Sequence, residues 1–250
     1  MLLQTNPIRN TAIPPCYAGL RGIRLQPTDI AIAVFEFVLL VFSLCVHECA
    51  HAWMASRLGD QTARLQGRVT LNPIYHVDPV GTLLFPALMI IGSFYGVGGF
   101  LIGWAKPTPV ITRNFKNIVR DDNLVTLAGP LSNLLLAFCG FLGLVAIILF
   151  NRSLPDQKTL DTSVDALGTL CDLGIQVNLA LFIFNLLPIP PLDGSHIVRN
   201  FLPYKLSNAF DHIGILGYAL MIFVGGPVVT FLMTPTMRLV YATLARIQGT

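Results

Sequence analysis

Charged side chains are scarce in this sequence. Asp, Glu, Lys and Arg make up 12% of its 250 residues, whereas a soluble domain carries about 25%. Hydrophobic residues make up 54% of the chain, and the mean hydropathy is +0.67. Together with several apolar runs of about 20 residues, this deficit predicts a helical protein that crosses a membrane several times.

The sequence also lacks the patterns of other protein classes. Its five cysteines include no Cys-x-x-Cys pair, so no disulfide framework is expected. The net charge of +3 is spread along the chain without a basic cluster, so nucleic-acid binding is not expected. Residues 1–28 lack the clean apolar core of a signal peptide, and we expect an irregular leader near the membrane surface.

The apolar segments predict an all-α polytopic membrane protein that forms one membrane-embedded domain, 1–250. The predicted membrane spans are residues 29–58, 124–150, 166–187 and 213–233. A catalytic core is expected over 30–200, followed by C-terminal helices over 212–250, the last of them a short amphipathic tail from 237 to 248. The chain contains no internal repeat and no low-complexity tract.

Two histidines lie near the end of the first span. His47 and His51 are four residues apart, so their side chains share one face of a helix. Imidazoles at this spacing can bind one zinc ion, and Glu48 can reach a water molecule on that zinc. Ionisable groups are costly at membrane depth and are kept there mainly for function. The pattern therefore favours a metal site over two buried histidines in a chance match.

A third ligand candidate follows the span 166–187. Asp193 lies just beyond a proline-rich stretch, in a Leu-Asp-Gly sequence, and it can reach the histidines if this span runs parallel to the first. His196, three residues later, is a competing candidate, but it lies outside that sequence. We therefore predict Asp193 as the third ligand.

This geometry constrains the segments between the ligands. The span 124–150 must run antiparallel to its neighbours, which brings Asn133 to the depth of the metal. Segment 83–105, which is apolar but contains Pro86 and several glycines, must then start and finish on one side of the membrane. We predict that it is re-entrant. The residue pattern also favours an edge strand at 64–71 and an extended edge segment at 103–110.

The ligand set predicts a hydrolytic centre with one Zn²⁺ per chain. Catalytic zinc sites combine three protein ligands, here His47, His51 and Asp193, with an open position for water. Zinc lowers the pKa of that water to roughly 7, and Glu48 is the predicted general base that later protonates the leaving amine. Asn133 is a candidate donor to the oxyanion or the substrate backbone. The expected reaction is peptide hydrolysis.

Two further ionisable residues leave alternatives open. Glu36 lies almost three helical turns before His47 on nearly the same face. It either reaches to water from the start of the helix or lines a wet path toward the metal. For His76, in a turn-rich stretch, we favour a structural hydrogen bond over a spare ligand.

Three motifs together resemble the site-2 protease family of intramembrane zinc metalloproteases. They are residues 47–51, 129–133 and 185–194. Residues 72–82 and 103–107 are similar to the compact bacterial and archaeal members, and the resemblance covers about 30–200. It implies a core of three transmembrane helices, a zinc centre and cleavage of a transmembrane protein substrate in the lipid bilayer.

The resemblance also implies the role of each site residue. His47, His51 and Asp193 would be zinc ligands, Glu48 the catalytic base and Asn133 a substrate contact. The family places strands beside the active site, where an unwound substrate can add as a further strand. We expect a compact form without PDZ or CBS domains, in the cell membrane of a prokaryote. Nine of the 16 lysines and arginines fall on the metal side in this topology, which predicts an active site near the cytoplasmic face.

Two other functions remain open from the sequence. One is a catalytically silent membrane-binding protein of the same fold, against which the intact Glu48 and ligand set argue. The other is a metal transporter, which would need ionisable residues strung through several spans, whereas only Glu36 and the metal set are visible.

Overall fold

A computed structural model of the chain describes residues 27–95, 103–153, 161–211 and 215–249, so that nearly all of the predicted leader lies outside it. The described residues are mostly helical and contain no β-strand. The helices are α1 (Pro27–Leu58), α2 (Thr62–Leu65), α3 (Phe85–Phe94), α4 (Ile118–Ser153), α5 (Asp161–Asn185), α6 (Asp193–Phe201), α7 (Tyr204–Asp211), α8 (Ile215–Leu220) and α9 (Gly226–Gln248). Turns of 3₁₀ helix occupy Pro73–Tyr75 and Thr112–Asn114, and π-helical turns occupy Pro79–Leu84 and Met221–Gly225.

Four of these helices, α1, α4, α5 and α9, are long and apolar enough to cross a membrane. α4 packs along both α1 and α5, and α9 packs on α5 and α4. Leu40 of α1 and Leu181 of α5 share one buried cluster, and Phe184 of α5 shares another with Val229 of α9. The predicted all-α polytopic class is confirmed.

Contacts along α4 give its direction relative to α1. Val125, in the second turn of α4, accepts a hydrogen bond from His51, and Asn133, two turns later, contacts the earlier His47. The residue order on one helix is therefore the reverse of that on the other, and α4 runs antiparallel to α1.

The same reversal relates α4 to α5. Asn133 of α4 donates to Asn178 of α5, whereas Gly140, further along α4, lies against the earlier Cys171. α1 and α5 consequently run parallel, with their C-terminal ends at the level of the early turns of α4. This is the arrangement that the ligand positions predicted.

The broken apolar segment 83–105 starts and finishes at the same place. The amide of Trp104 donates to the carbonyl of Gly81 over 3.1 Å, and the hydroxyl of Thr82 donates to the carbonyl of Trp104 over 2.7 Å. α3, between these ends, has ten residues and rises about 15 Å, half of a hydrocarbon core of roughly 30 Å. The described ends agree with the predicted re-entrant path; residues 96–102 lie outside the described residues.

The predicted strand at 64–71 is wrong. The chain instead forms the short helix α2, which ends at Leu65 and is followed by Gly67 in the left-handed region, with φ +72°. The amides of Gly67 and Arg68 donate to the carbonyls of Arg64 and Ala63, which is the Schellman pattern of a helix end. The loose alternation of apolar residues at 64–71 favoured a strand, although Gly67 is typical of a helix end.

Segment 103–110 is extended, as predicted, but it has no strand partner among the described residues. Its amides bond to one side: Trp104 to the Gly81 carbonyl and Lys106 to the His76 carbonyl. Loop carbonyls therefore replace the ladder of a sheet, so the predicted strand element is a single extended segment beside the helices.

The C-terminal helices differ from prediction in one respect. The predicted last span, 213–233, and the amphipathic tail, 237–248, are joined, because α9 continues through Pro235 to Gln248. Proline at this position removes one backbone hydrogen bond from the helix without ending it. The predicted interruption near Gly225 is the junction of the π-helical turn with α9.

Candidate metal centre

The two histidines of α1 point at each other on one face of the helix. Their Nε2 atoms are 3.0 Å apart, and both side chains are buried. Glu48 joins them in a compact group: one ligand atom from each of the three residues lies within 4.8 Å of the others. The helical spacing thus produces the predicted pair of nitrogen donors.

Asp193, the first residue of α6, reaches the same point from a distant part of the chain. Its Oδ2 atom lies 3.0 Å from His47 Nε2 and 3.4 Å from His51 Nε2. This oxygen is buried and accepts no hydrogen bond from any described residue. An ionisable oxygen in this position requires a positive partner, because burial of an isolated charge is costly.

The other ring nitrogens of the histidines are held by oxygen acceptors. His51 Nδ1 donates to the carbonyl of Val125 over 2.7 Å, and His47 Nδ1 lies 2.6 Å from the Oδ1 atom of Asn133. A carbonyl oxygen can only accept, so Nδ1 of each ring carries the proton. This leaves the Nε2 lone pairs free for a metal, as is usual for ligating histidines.

The three atoms fit a zinc ion. Zinc ligands lie roughly 2.0–2.1 Å from the ion in a tetrahedron, which separates two ligands by about 3.3 Å. The three separations among His47 Nε2, His51 Nε2 and Asp193 Oδ2 are 3.0–3.4 Å. Two neutral imidazoles and a carboxylate form the donor set of a catalytic zinc site with one position left for water.

Glu48 is held by a residue that the sequence did not indicate. The amide of Thr108 donates to Glu48 Oε2 over 2.9 Å, and the Thr108 hydroxyl lies 2.7 Å from the same oxygen. Thr108 belongs to the extended segment 103–110, 60 residues further along the chain. This segment therefore lies directly against the centre.

Gly129 brings the backbone of α4 directly against the centre. A Cβ atom at this position would lie 2.3 Å from His51 Nε2 and 2.6 Å from His47 Nε2. Any side chain would therefore occupy the space beside the Nε2 atoms of the two histidines. The sequence placed residues 129–133 at this depth, and the structure agrees.

Asn133 is fully buried beneath the metal-binding face. Besides its contact with His47, its amide nitrogen donates to the Ser43 carbonyl over 3.3 Å and to Asn178 Oδ1 over 3.1 Å. Every polar atom of this side chain thus has a protein partner. The substrate contact predicted for Asn133 stays a prediction. In the structure, Asn133 orients the ring of His47 by a hydrogen bond.

Gly194 fixes the start of α6. A Cβ atom there would lie 2.2 Å from the carbonyl oxygen of Leu186, so only glycine allows α6 to turn back over the end of α5. Ser195 donates to the carbonyl of Leu192 over 2.6 Å and closes this first turn. These contacts hold Asp193 in place.

The turn after α1 is built around Asp60, which is completely buried. Its carboxylate accepts hydrogen bonds from the Ile111 amide, from the amide and hydroxyl of Thr62, and from the Asn114 side chain. Burial raises the pKa of Asp60, but these hydrogen bonds lower it, and the net pKa lies below its ordinary value. Asp60 thereby ties the end of α1 to the chain that follows the extended segment.

Arg68 fixes the same segment from the other side. Its buried guanidinium donates to the carbonyls of Tyr75, Lys106 and Pro107. Three carbonyls accept from the two terminal nitrogens of this planar group, whose fork of donors differs from the single ammonium nitrogen of lysine. No sequence pattern indicated Arg68, because its partners are backbone atoms.

The residues weighed as alternatives lie elsewhere in the structure. His196 is exposed on α6. His76 is buried, and its Nε2 atom bonds to the carbonyl of Thr70 over 2.8 Å, which agrees with the structural role favoured from the sequence. Glu36 is half-buried on α1, and both of its alternatives remain open.

Comparison with known proteins gives a consistent set of matches. A sequence model of Peptidase family M50 matches residues 156–225. The chain is 44% identical over 166 residues to the Bacillus subtilis protein named "Putative zinc metalloprotease YwhC", which covers 66% of this chain and 68% of that protein. No solved structure matches the chain.

Two mycobacterial proteins, both named "Putative zinc metalloprotease Rip2", are also similar. The protein of Mycolicibacterium smegmatis is 30% identical over 188 residues, and that of Mycobacterium tuberculosis is 35% identical over 186 residues. Each match covers 74% of this chain and 64% of the relative. The chain thus spans just under two thirds of the length of these two relatives.

Proposed function

This chain belongs to peptidase family M50, and on that premise we propose that it is an intramembrane endopeptidase that cleaves membrane-spanning protein substrates. The family makes it a zinc metalloprotease, and its four long apolar helices make it an integral membrane protein. The substrate class, the general base and the side of the membrane are the further content of the proposal.

The observation that carries the proposal is the convergence of three donor atoms from two distant stretches of chain. His47, His51 and Asp193 come together within 3.0–3.4 Å, with the ring orientation of both histidines fixed by carbonyl acceptors. A binding protein without catalytic function would have no need of Glu48 beside such a set. We assign these three residues as ligands of one Zn²⁺.

The chemistry follows from the residues around that ion. Zinc, when bound, supplies Lewis acidity, which makes a water molecule easier to deprotonate and polarises the scissile carbonyl. Glu48 lies beside the histidines and takes the proton of the attacking water, then returns it to the leaving amine. Thr108 holds the Glu48 carboxylate. The substrate contact of Asn133 remains part of the proposal. Both of its N–H donors bond to Ser43 and Asn178, so the contact requires exchange of one of these hydrogen bonds for one to the substrate.

The extended segment 103–110 is the proposed docking site for the substrate. Its amides at Trp104 and Lys106 bond to loop carbonyls on one side, and Thr108 in the same segment contacts Glu48. A transmembrane helix must unwind before its peptide bonds can be attacked, and an extended peptide pairs best with an extended partner. A substrate lying along this segment would bring its backbone next to Glu48.

We further propose that the centre faces the cytoplasmic side of a prokaryotic cell membrane. Nine of the 16 lysines and arginines fall within 57–120 and 188–211, the metal side of the predicted topology, and positive residues are enriched on the cytoplasmic side. Arg68 and Lys106 belong to this group and lie at the extended segment.

The test compares membranes of cells that produce either the wild-type chain or the Glu48→Gln variant. Mass spectrometry of protein N-termini should detect single-span proteins that are cut with the wild type and accumulate uncut with Glu48→Gln. Both purified proteins should contain zinc. Asp165→Asn, which removes an exposed carboxylate at the start of the α5 span, is the matched control and should cleave like the wild type. Cleavage by Glu48→Gln at the wild-type rate would overturn the proposal.

A further inference from the structure

Thr108 contacts the carboxylate of Glu48 through two donors at once. Its amide lies 2.9 Å and its hydroxyl 2.7 Å from Glu48 Oε2. The hydroxyl also lies 3.1 Å from the backbone carbonyl of Glu48, but it has one proton, and the shorter distance to a charged oxygen is typical of a charge-assisted bond. We infer that Thr108 is a positioning residue that orients the general base and couples that orientation to the substrate-docking segment.

The two donors fix one carboxylate oxygen and leave the other available. Both bonds end on Oε2, and no described residue donates to Oε1. A glutamate side chain has three rotatable bonds, and an unrestrained carboxylate would sample several directions. With Oε2 anchored, Oε1 is the oxygen that can take a proton from water. Preorganisation of this kind raises the rate of the chemical step rather than the affinity for substrate.

The anchor is part of an extended segment that is itself fixed. Lys106, two residues before Thr108, donates its amide to the His76 carbonyl over 2.8 Å, and Trp104 donates to the Gly81 carbonyl over 3.1 Å. Amides of alternate residues in an extended chain point to the same side. The amides of 104, 106 and 108 therefore form one row, in which the last member bonds to a carboxylate instead of a loop carbonyl.

This continuity links docking to catalysis. It rests on the proposed function, in which the substrate lies along 103–110. A substrate strand that pairs with this segment restrains the backbone that carries Thr108, and through the two hydrogen bonds it restrains Glu48. Glu48 is thus held most firmly when a substrate is in place, which favours hydrolysis of docked peptides.

The experiment uses the full chain reconstituted in liposomes with a single-span peptide that the wild type cleaves. Thr108→Val keeps the side-chain shape and the amide but removes the hydroxyl, and Thr108→Ser restores it. Thr112→Val makes the same change at an exposed position four residues further on and is the matched control. We measure kcat, KM and zinc content. We also record the infrared band of the Glu48 carboxylate in the metal-free protein, identified by difference from Glu48→Gln.

Thr108→Val should lower kcat roughly tenfold to a hundredfold, which corresponds to the loss of one hydrogen bond to a charged group. KM and zinc content should stay near those of the wild type, the carboxylate band should shift, and Thr108→Ser should recover most of the rate and the original band. Thr112→Val should match the wild type in every measurement.

Two outcomes would overturn the inference. In one, Thr108→Val retains the wild-type kcat and carboxylate band. In the other, it loses zinc and thermal stability together and Thr108→Ser does not restore them, which would make Thr108 a structural residue. Both differ from failure of the proposed function, which would appear as cleavage by Glu48→Gln.

Discussion

The Nδ1 atom of His47 lies 2.6 Å from the Oδ1 atom of Asn133, and the amide nitrogen of Asn133 donates to Asn178 on a third helix. One side chain thus connects α1, α4 and α5 directly beneath the metal-binding face. Removal of the Asn133 side-chain amide would leave the His47 ring without its hydrogen-bond acceptor and Asn178 Oδ1 without its donor. The orientation of the His47 ring therefore depends on the packing of all three core helices.

Asn133→Ala should weaken zinc binding about 10- to 100-fold, the usual effect of removing the partner of a ligating histidine. The measurement is competition with a chromogenic chelator for zinc in detergent solution. Asn151→Ala, at an exposed position near the end of the same helix, should bind zinc like the wild type. If Asn133 acts only as a substrate contact, zinc affinity would be unchanged and KM would rise, a result that would remove the supporting role.

Gly129→Ala should abolish zinc binding while the helices still form. The added methyl group would lie 2.3 Å from His51 Nε2 and 2.6 Å from His47 Nε2. Neither buried ring can move out of this clash without breaking the hydrogen bond of its Nδ1 atom. The measurement is the zinc content of the purified protein together with its circular dichroism. In α5, by contrast, a Cβ atom at Gly168 would meet no atom within 4 Å.

Gly168→Ala is therefore the matched control, and it should retain zinc and gain about 0.5–1 kcal/mol in helix stability. Full zinc occupancy in Gly129→Ala would show that α4 can move away from the histidines. That would contradict the close approach of α4 as the feature that shapes the centre.

The sequence predicted that His47, His51 and Asp193 come together because their signals are local. The four-residue spacing of His47 and His51 fixes a shared helix face, and the prolines that follow α5 fix where Asp193 begins a new helix. Parallel packing of the first and third spans then followed from the requirement that these residues meet. The same reasoning predicted that 83–105 returns to its starting level, which the Gly81–Trp104 hydrogen bond bears out.

The supporting residues could not be predicted, because each acts on a backbone or side chain far away in sequence. Thr108 is 60 residues from Glu48, and Arg68 bonds to carbonyls of residues 106 and 107. Backbone carbonyls occur at every position and leave no pattern in the sequence. The strand predicted at 64–71 failed for a different reason: Gly67 ends a short helix there, and apolar alternation over a few residues does not distinguish the two structures.

Asp60→Asn should lower the free energy of unfolding at neutral pH by about 1–3 kcal/mol. The substitution replaces a buried carboxylate that accepts several hydrogen bonds by an amide, and the NH₂ group of that amide must then face hydrogen-bond donors. The carboxylate accepts from the Ile111 amide, Thr62 and the Asn114 side chain. The measurement is thermal unfolding in detergent. Asp165→Asn, an exposed position, is the control and should unfold like the wild type.

The effect of Asp60→Asn should also depend on pH in a defined direction. Burial raises the pKa of Asp60 and its hydrogen bonds lower it, with a net pKa below the ordinary value of about 3.9. The unfolded chain therefore takes up the proton first, and the carboxylate contributes its full stabilisation above that ordinary pKa. As the pH falls through the lowered pKa, the folded carboxyl is protonated and the contribution is lost.

The difference in unfolding temperature between the wild type and Asp60→Asn should be constant from pH 7 to pH 5 and should shrink below pH 4. A difference that grows on acidification would mean that the folded pKa of Asp60 lies above its ordinary value, and it would contradict net stabilisation of the ionised carboxylate by its hydrogen bonds.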